Sequence, residues 1–223
     1  MEPRLFQNLV VCRDDVFRSA AMNMALDEAC LEMATQPVIR FYRWGRPALS
    51  FGFFGRFNDV AAFAGERDLV RRWTGGGIVF HGDDLTYCLV VPAAEKVSAR
   101  SSMWLYEQTH RAIQRTLRRG GEKAWLAPDT LGERSQACFA KPVRADVMLR
   151  GKKIAGAAQR RTRHGLIQQG SIQNIRITPD FAERFAGELA GTTAANDMDA
   201  TLLARGVEIA QQKYGTSQWL ERR

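Results

Sequence analysis

Several familiar sequence features are missing from this chain of 223 residues. No apolar run approaches the roughly 18–20 residues that a membrane-spanning helix requires. The opening stretch MEPRLFQNLVVCRDD holds only a short apolar run before it turns charged, so a secretory signal is not expected. Internal repeats, low-complexity tracts and proline-rich linkers are also missing. We therefore predict one domain over residues 1–223 and a cytoplasmic location, without a membrane partner.

Cysteine and histidine are scarce. The four cysteines are Cys12, Cys30, Cys88 and Cys138. None stands in a C-x-x-C pair, which argues against structural zinc and thioredoxin-type chemistry, and without an export signal they should be free thiols. The three histidines are His81, His110 and His164. They lie far apart without metal-ligand spacing, so no metal site is predicted, and His110 beside Arg111 in a predicted helix is expected to be solvated.

Positive charge is in excess: the net charge is +8 and the sequence pI is about 9.7. The densest basic stretches are RTLRRGGEK and QRRTRHG. This surplus indicates an acidic partner, either nucleic acid or an acidic protein, although a basic surface that is merely solvated would look the same. No recognised nucleic-acid motif supports the first choice.

Hydrophobic periodicity predicts a mixture of helices and strands. Helices are expected over 19–34 with Ser19 as N-cap, 58–68, 101–119, 178–190 with Thr178 as N-cap, and 199–215. Strands are expected over 38–44, 48–54, 69–73, 77–81 and 85–92, followed by a hairpin within 144–161 and a further strand in 164–175. Because the order is not a repeating βαβ pattern, we predict an α+β fold with a mostly antiparallel or mixed sheet.

The stretch RRWTGGGIVFHG, residues 71–82, contains three consecutive glycines. No Gly-Lys-Ser/Thr follows and the G-x-G-x-x-G spacing is absent, so neither a Walker A loop nor a dinucleotide fingerprint is indicated. Bare backbone N–H groups beside arginine suit a phosphate or a developing oxyanion. Since Arg71 and Arg72 alternate on a strand, only one of them should face the glycines. A flexible hairpin turn is the alternative.

The stretch GKKIAGAAQRR, residues 151–161, places small residues after a lysine pair. Small side chains beside a strand lysine leave room for an elongated ligand, and Lys152 and Lys153 should point to opposite faces. Cys138 precedes Lys153 by fifteen residues. A thiol beside an ammonium group has a lowered pKa and becomes a nucleophile. A surface lysine in a hairpin remains the simpler alternative for this motif.

Taken together, the motifs resemble those of the lipoate–protein ligase and octanoyltransferase family, relatives of biotin–protein ligase. The resemblance lies in MNMALDEA, IRFYRWGRPALSFGFF, RRWTGGGIVFHGDDLTY, DVMLRGKKIAGAAQRR, IQQGSI and KYGTSQWLERR. It implies a catalytic domain of the biotin/lipoate-ligase type, with mixed twisted sheets flanked by helices. Residues 1–223 would form this domain without the C-terminal accessory domain that ligases often carry.

The resemblance also implies transfer of an octanoyl or lipoyl chain to the ε-amine of a lysine on a lipoyl domain. The cysteine-dependent branch uses no cofactor, and its donor is acyl carrier protein or a lipoylated protein. That branch carries a Cys-Phe-x-x-Pro segment fifteen residues before the motif lysine. This chain has CFAKP at that spacing, so we favour this branch, with Cys138 and Lys153 as catalytic residues.

In the ligase branch, which is the alternative, ATP with Mg²⁺ first forms an acyl-adenylate held by Arg72 and residues 77–80. The substrate-binding residues implied for this chain are Arg72, Gly75, Gly76, Gly77, Ile78, Val79, Phe80, His81, Ala155 and Gly156. Ile78 replaces a common alanine and should narrow the pocket. A non-catalytic binder of nucleic acid or another ligand is a distant third interpretation, and no nucleic-acid partner is expected.

Overall fold

The computed structural model describes residues 4–129 and 142–222, so Cys138 lies outside the described residues. The strands are β1 (Phe6–Arg18), β2 (Val38–Trp44), β3 (Ala48–Phe51), β4 (Asp68–Arg71), β5 (Val79–His81), β6 (Leu85–Pro92), β7 (Trp125–Leu126), β8 (Val147–Leu149), β9 (Lys152–Thr162), β10 (Gly165–Ile172) and β11 (Ala190–Ala195). The helices are α1 (Ala20–Met33), α2 (Ser102–Arg119), α3 (Phe181–Leu189), α4 (Ala200–Ile209) and α5 (Ser217–Leu220). The α+β class is confirmed.

Most strands belong to one eight-stranded sheet in the order β11-β1-β2-β6-β10-β9-β8-β7. Strand β1 is parallel to both of its neighbours, whereas the pairs from β2 onward are antiparallel. A second sheet has the order β4-β3-β5. The sheets are mixed, as the sequence predicts.

Helices cover both faces of the large sheet. Helices α2 and α3 pack on one face in a cluster that includes Leu105, Ile113 and Phe185, while α1 and α4 pack on the other with Met24 and Ile209. The helix predicted over 101–119 is confirmed as α2, and it is amphipathic, because its apolar positions such as Leu105, Ile113 and Leu117 are buried. No helix in the described ranges combines the length and the apolar character needed to cross a bilayer.

Capping residues explain where the main helices begin. The Ser19 hydroxyl accepts the Met22 N–H, and Ser101 does the same for Trp104. The predicted cap at Thr178 is wrong: the helix begins at Phe181, whose N–H is accepted by the Thr178 carbonyl in the preceding turn.

Other boundaries also depart from the sequence-based expectations. The predicted helix over 58–68 is two 3₁₀ turns, Phe57–Asp59 and Ala61–Phe63. The predicted strand over 48–54 ends at Phe51 and does not pair with β2, since the two strands belong to different sheets. Strands β4 and β5, which flank the glycines, pair with opposite edges of β3 and do not form a hairpin.

Candidate active site

One cavity opens between the small sheet and the large sheet, where β3, β5, β9 and β10 approach one another. The empty space in the cavity, counted together with open solvent at its mouth, is about 450 Å³. Its walls are formed by Met24, Tyr42, Trp44, Ser50, Arg72, Val79, His81, Thr86, Lys153, Gly156, Ala157, Ala158, Gln169, Gly170 and Ser171. Both sequence motifs therefore meet at this cavity, although about 80 residues separate them in the chain.

Arg72 supports the glycine loop, residues 75–77, through hydrogen bonds. Its Nη2 donates to the carbonyl oxygens of Gly75 at 3.1 Å and Gly77 at 2.7 Å. Gly76 has a φ of +84°, a conformation that favours glycine. A Cβ atom at Gly52 would overlap the Gly76 carbonyl, so Gly52 allows the loop to pack against the end of β3.

Arg71 points away from the glycines, which confirms that only one arginine of the pair serves the loop. Its guanidinium donates to the backbone carbonyls of Trp219, Leu220 and Arg222 and to those of the Gly52–Gly55 turn. Arg71 therefore links α5 to β4 through hydrogen bonds. This role follows from strand alternation, which sends neighbouring side chains to opposite faces.

Lys153 is buried and lines the cavity, whereas Lys152 is exposed, as strand alternation predicts. The Nζ atom of Lys153 lies 2.8 Å from Oδ2 of Asp146. The other carboxylate oxygen accepts the Tyr106 hydroxyl at 2.5 Å. A Cβ atom at Gly156 would lie 2.5 Å from Cε of Lys153, so this glycine makes room for the end of the lysine side chain.

Ser50, His81 and Asp84 form a buried hydrogen-bonded chain. The Ser50 Oγ lies 2.7 Å from His81 Nε2, and His81 Nδ1 lies 2.8 Å from Asp84 Oδ2. Burial lowers the pKa of His81, although Asp84 opposes the shift. Burial alone would raise the pKa of Asp84, but hydrogen bonds from neighbours such as His81 outweigh it and hold the pKa at about 2.

A second buried network lies behind the cavity. The Gln169 Nε2 donates to Asp27 Oδ2 at 2.7 Å and the Gln169 Oε1 accepts the Thr74 hydroxyl at 2.8 Å. Asp27 also pairs with the fully buried Arg40, Nη1 to Oδ1, at 2.7 Å. Burial raises the pKa of Asp27 against the opposing effect of Arg40. The glycine loop is thus tied to α1 through Gln169.

The predicted binding residues divide into those that line the cavity and those that do not. Arg72, Val79, His81, Lys153 and Gly156 line it. The three glycines are adjacent to this site, and two of them, Gly75 and Gly77, accept hydrogen bonds from Arg72 through their carbonyl oxygens. The Arg72 guanidinium also donates to Ser50 Oγ at 2.7 Å, so it is already engaged within the protein.

Three predicted residues face elsewhere. Ala155 is fully buried in the core under α2 and α3, so it does not line a substrate tunnel. Phe80 is 46% exposed and packs on Phe63, because the neighbours Val79 and His81 take the inward positions of β5. Ile78 packs against the core of the small sheet and does not narrow the cavity.

Sequence reasoning was wrong about His110, which is fully buried rather than solvated. Its Nδ1 lies 2.7 Å from the Ala145 carbonyl oxygen, and its ring packs on Tyr106. Burial lowers the pKa of His110 to about 4, so the ring is neutral near pH 7. The sequence did carry a signal for this burial, because His110 lies three residues before Ile113 on the apolar stripe of α2.

The described cysteines are unsuited to nucleophilic attack. Burial raises the pKa of Cys12 to about 11, that of Cys30 to about 12, and that of Cys88 well above its usual value. The predicted nucleophile, Cys138, is outside the described residues. Within residues 4–129 and 142–222, no group of three or more Asp, Glu, His and Cys side chains is arranged to hold a metal ion.

The sequence matches a known family over most of its length. The family described as "Lipoyl protein ligase A/B catalytic domain" matches residues 19–186. The octanoyltransferase LipM of Oceanobacillus iheyensis is 39% identical over 165 residues, 70% of this chain and 60% of that protein. The octanoyltransferase LipM of Macrococcus caseolyticus is 35% identical over 176 residues, 71% of this chain and 64% of that protein. The chain thus spans less than two thirds of the length of these curated relatives.

Solved structures share the fold. A lipoate-protein ligase A bound with ATP is 18% identical, with a TM-score of 0.76 and coverage of 97% of this chain and 98% of that one. The bi-partite lipoate protein ligase of Thermoplasma acidophilum, in a study that includes its E2 lipoyl domain, is 18% identical with a TM-score of 0.74, covering 97% of this chain and 96% of that one. At this level of identity, the likeness establishes the fold of twisted sheets flanked by helices.

Proposed function

The chain belongs to the lipoyl protein ligase A/B catalytic domain family, and we propose that it transfers an octanoyl or lipoyl group to the ε-amine of a lysine on a lipoyl domain. The observation that carries the proposal is the buried pair of Lys153 and Asp146 at a cavity that has small residues along one wall. The similarity to proteins named octanoyltransferase, at 35–39% identity, favours the octanoyl group.

The proposed reaction proceeds through a thioester on Cys138. The Cys138 thiolate attacks the carbonyl carbon of an octanoyl thioester, the donor thiolate leaves, and the acyl group becomes attached to the enzyme sulfur. The acceptor amine then attacks this new thioester, the carbon–sulfur bond breaks as the amide forms, and the departing Cys138 sulfur takes up the proton that the amine loses. In both steps negative charge develops on the carbonyl oxygen, which the ammonium group of Lys153 can stabilise.

The cavity suits the tail of such a donor. Gly156, Ala157, Ala158 and Gly170 contribute almost no side-chain volume to one wall, and Met24 adds an adaptable apolar surface. A mostly apolar cleft with a few convergent polar groups is typical of small-molecule sites. An unbranched acyl chain therefore fits this wall better than a bulky ring system.

The donor we propose is an acyl carrier protein or a lipoylated protein, with no cofactor. The net charge of +8 suits an acidic macromolecular donor or acceptor, because opposite charges speed the encounter of two proteins. An archaeal ligase of the same fold was studied together with its E2 lipoyl domain, which supports a lipoyl domain as the acceptor.

An ATP-dependent lipoate–protein ligase is the second candidate. Arg72 and the glycine loop favour it, since a guanidinium beside bare backbone is a suitable place for the phosphate of an acyl-adenylate. ATP with Mg²⁺ would then be required as substrate. For Arg72 to bind that phosphate, at least some of its present hydrogen bonds to Ser50, Gly75 and Gly77 would have to be exchanged.

One assay separates the two candidates. Purified chain is incubated with a lipoyl domain and either octanoyl-carrier protein without ATP or free octanoate with ATP and Mg²⁺, and the product is read by intact mass. We expect octanoylation from the carrier protein alone, and we expect Cys138→Ala to abolish it. Octanoylation only with ATP, and its persistence in Cys138→Ala, would establish the ligase instead.

A further inference from the structure

We infer that Ser50, His81 and Asp84 form the base that deprotonates the acceptor amine, with Ser50 as the group that touches the substrate. The inference rests on the proposed function, since it needs an amine as acyl acceptor. Ser50 and His81 line the same cavity as Lys153, and Asp84 lies directly behind His81. The chain from Ser50 Oγ through His81 to Asp84 has hydrogen-bond distances of 2.7 Å and 2.8 Å.

The hydrogen-bond donors around Asp84 fix the tautomer of His81. The carboxylate accepts the hydroxyls of Thr86 at 2.9 Å and Ser171 at 2.6 Å and the N–H of Gly82 at 3.0 Å. A carboxylate can only accept, so the contact at 2.8 Å requires a proton on Nδ1 of His81. A neutral ring with its proton on Nδ1 presents an unprotonated Nε2 toward Ser50.

Arg72 fixes the direction of the Ser50 hydroxyl. A guanidinium has donors only, so the contact from Arg72 Nη1 at 2.7 Å takes one lone pair of Ser50 Oγ. The hydroxyl proton is therefore left to donate to His81 Nε2. The second lone pair of Oγ remains for a group in the cavity, and a substrate ammonium is the kind of donor that fits it.

Attack on the acyl group requires such a base. A lysine amine has a pKa near 10.4, so at neutral pH almost every acceptor lysine carries the extra proton and cannot attack. Lys153 is not suited to remove it, because its own ammonium group is paired with Asp146. Burial lowers the pKa of His81 and Arg72 adds to that effect, against the opposing effect of Asp84, so Nε2 carries no proton at neutral pH and holds a transferred proton only transiently.

Two coupled proton transfers free the acceptor amine. The acceptor ammonium gives one proton to Ser50 Oγ, while the Ser50 hydroxyl proton moves to His81 Nε2. The resulting imidazolium faces the Asp84 carboxylate, which stabilises it. The free amine then attacks the carbonyl carbon, the carbon–sulfur bond breaks, and the second amine proton goes to the departing Cys138 thiolate. His81 finally releases its proton to solvent.

The imidazole ring is held in place for this role. Trp44 stacks on His81 with ring centroids 4.0 Å apart and an interplanar angle of 24°. The indole N–H of Trp44 donates to the Thr86 hydroxyl at 2.8 Å, and Thr86 in turn donates to Asp84. The ring is thus fixed by stacking as well as by hydrogen bonds, which holds Nε2 toward Ser50.

The test compares two acceptors with the same octanoyl donor, octanoyl-N-acetylcysteamine thioester. The first acceptor is a lipoyl domain, whose lysine must lose a proton. The second is hydroxylamine, which is already unprotonated at neutral pH and needs no base. We expect Ser50→Ala, His81→Gln and Asp84→Asn to lower the ratio of lysine transfer to hydroxylamine transfer at least tenfold. His164→Gln, an exposed histidine, is the matched control.

Each outcome has a defined meaning. Transfer to hydroxylamine reports whether a variant still folds and still receives the acyl group. If a variant loses transfer to lysine and transfer to hydroxylamine by the same factor, the residue has a structural role and the inference is overturned. An unchanged ratio in all three variants also overturns it. If the unmodified protein acylates neither acceptor, with this donor or with ATP and octanoate, then the proposed function fails and the inference fails with it.

Discussion

The Nζ atom of Lys153 lies 2.8 Å from Oδ2 of Asp146, and both side chains are almost completely buried. Removing one member of such a pair leaves an uncompensated charge in the interior, which typically costs about 3–5 kcal/mol. We therefore expect Lys153→Met to lower the free energy of unfolding by about 3 kcal/mol in urea titrations at pH 7. The exposed Lys152→Met should change it by less than about 0.5 kcal/mol. Equal losses of unfolding free energy in the two variants would mean that the buried Asp146 carboxylate does not require the Lys153 ammonium group as its partner.

The same pair should control the reactivity of Cys138. A free thiol titrates near pH 8.5, and a nearby positive charge lowers that value. Lys153→Met should therefore shift the alkylation of Cys138 by iodoacetamide to higher pH. Asp146→Asn leaves the lysine charge uncompensated and should shift the profile to lower pH. Mass spectrometry of the Cys138 peptide gives both profiles, and shifts of the same sign would contradict the proposed proximity of Cys138 and Lys153.

Gly156→Ala should disable the site by displacing Lys153. The added Cβ would lie 2.5 Å from Cε and 2.7 Å from Nζ of that lysine, so the ammonium group must move. A misplacement of about 1 Å can cost on the order of a hundredfold in rate, and we expect at least a tenfold loss of acyl transfer. Gly187→Ala is the control, because its added Cβ meets nothing within 4 Å. A Gly156→Ala enzyme with normal turnover would show that the position of Lys153 is not critical.

His110 should make stability depend on pH. Its pKa is about 4 in the folded protein against an ordinary value of 6.5, so between these limits the unfolded chain binds the proton more readily. Stability should consequently fall as pH drops from about 6.5 to 4, by up to about 3 kcal/mol from this residue. Urea titrations at several pH values should show a shallower fall in His110→Gln. The exposed His164→Gln should retain the full slope, and identical slopes in all three proteins would exclude this linkage.

Part of the site was predictable because it follows strand alternation within a short segment. Alternation predicted that one arginine of the pair at 71–72 and one lysine of the pair at 152–153 would face the site, and the family resemblance indicated Arg72, Lys153 and His81. The structure places all three at the cavity. Asp146 and Ser50 were not singled out. Their partners lie 7 and 31 residues away, and the contacts depend on how β8 meets β9 and β3 meets β5.

The missed elements have a similar explanation. Strand β11 has the sequence AGTTAA, which carries little of the apolar or aromatic signal of a strand. It forms because β1 offers an edge for parallel pairing, with Phe6 opposite Ala190 and Val11 opposite Ala195. Strands β2 and β3 follow each other in the chain but belong to different sheets, and hydrophobic periodicity does not reveal this change of sheet at the intervening turn.

The strand order of the large sheet has a consequence for folding speed. Strand β6 pairs with β2 and β10, and β1 pairs with β11 almost at the other end of the chain. A high mean sequence separation between contacting residues slows folding, because loop-closure entropy is lost before long-range contacts compensate for it. We expect refolding to be slow for a domain of this size, and acyl transfer to return only after the distant β-strands have found their partners.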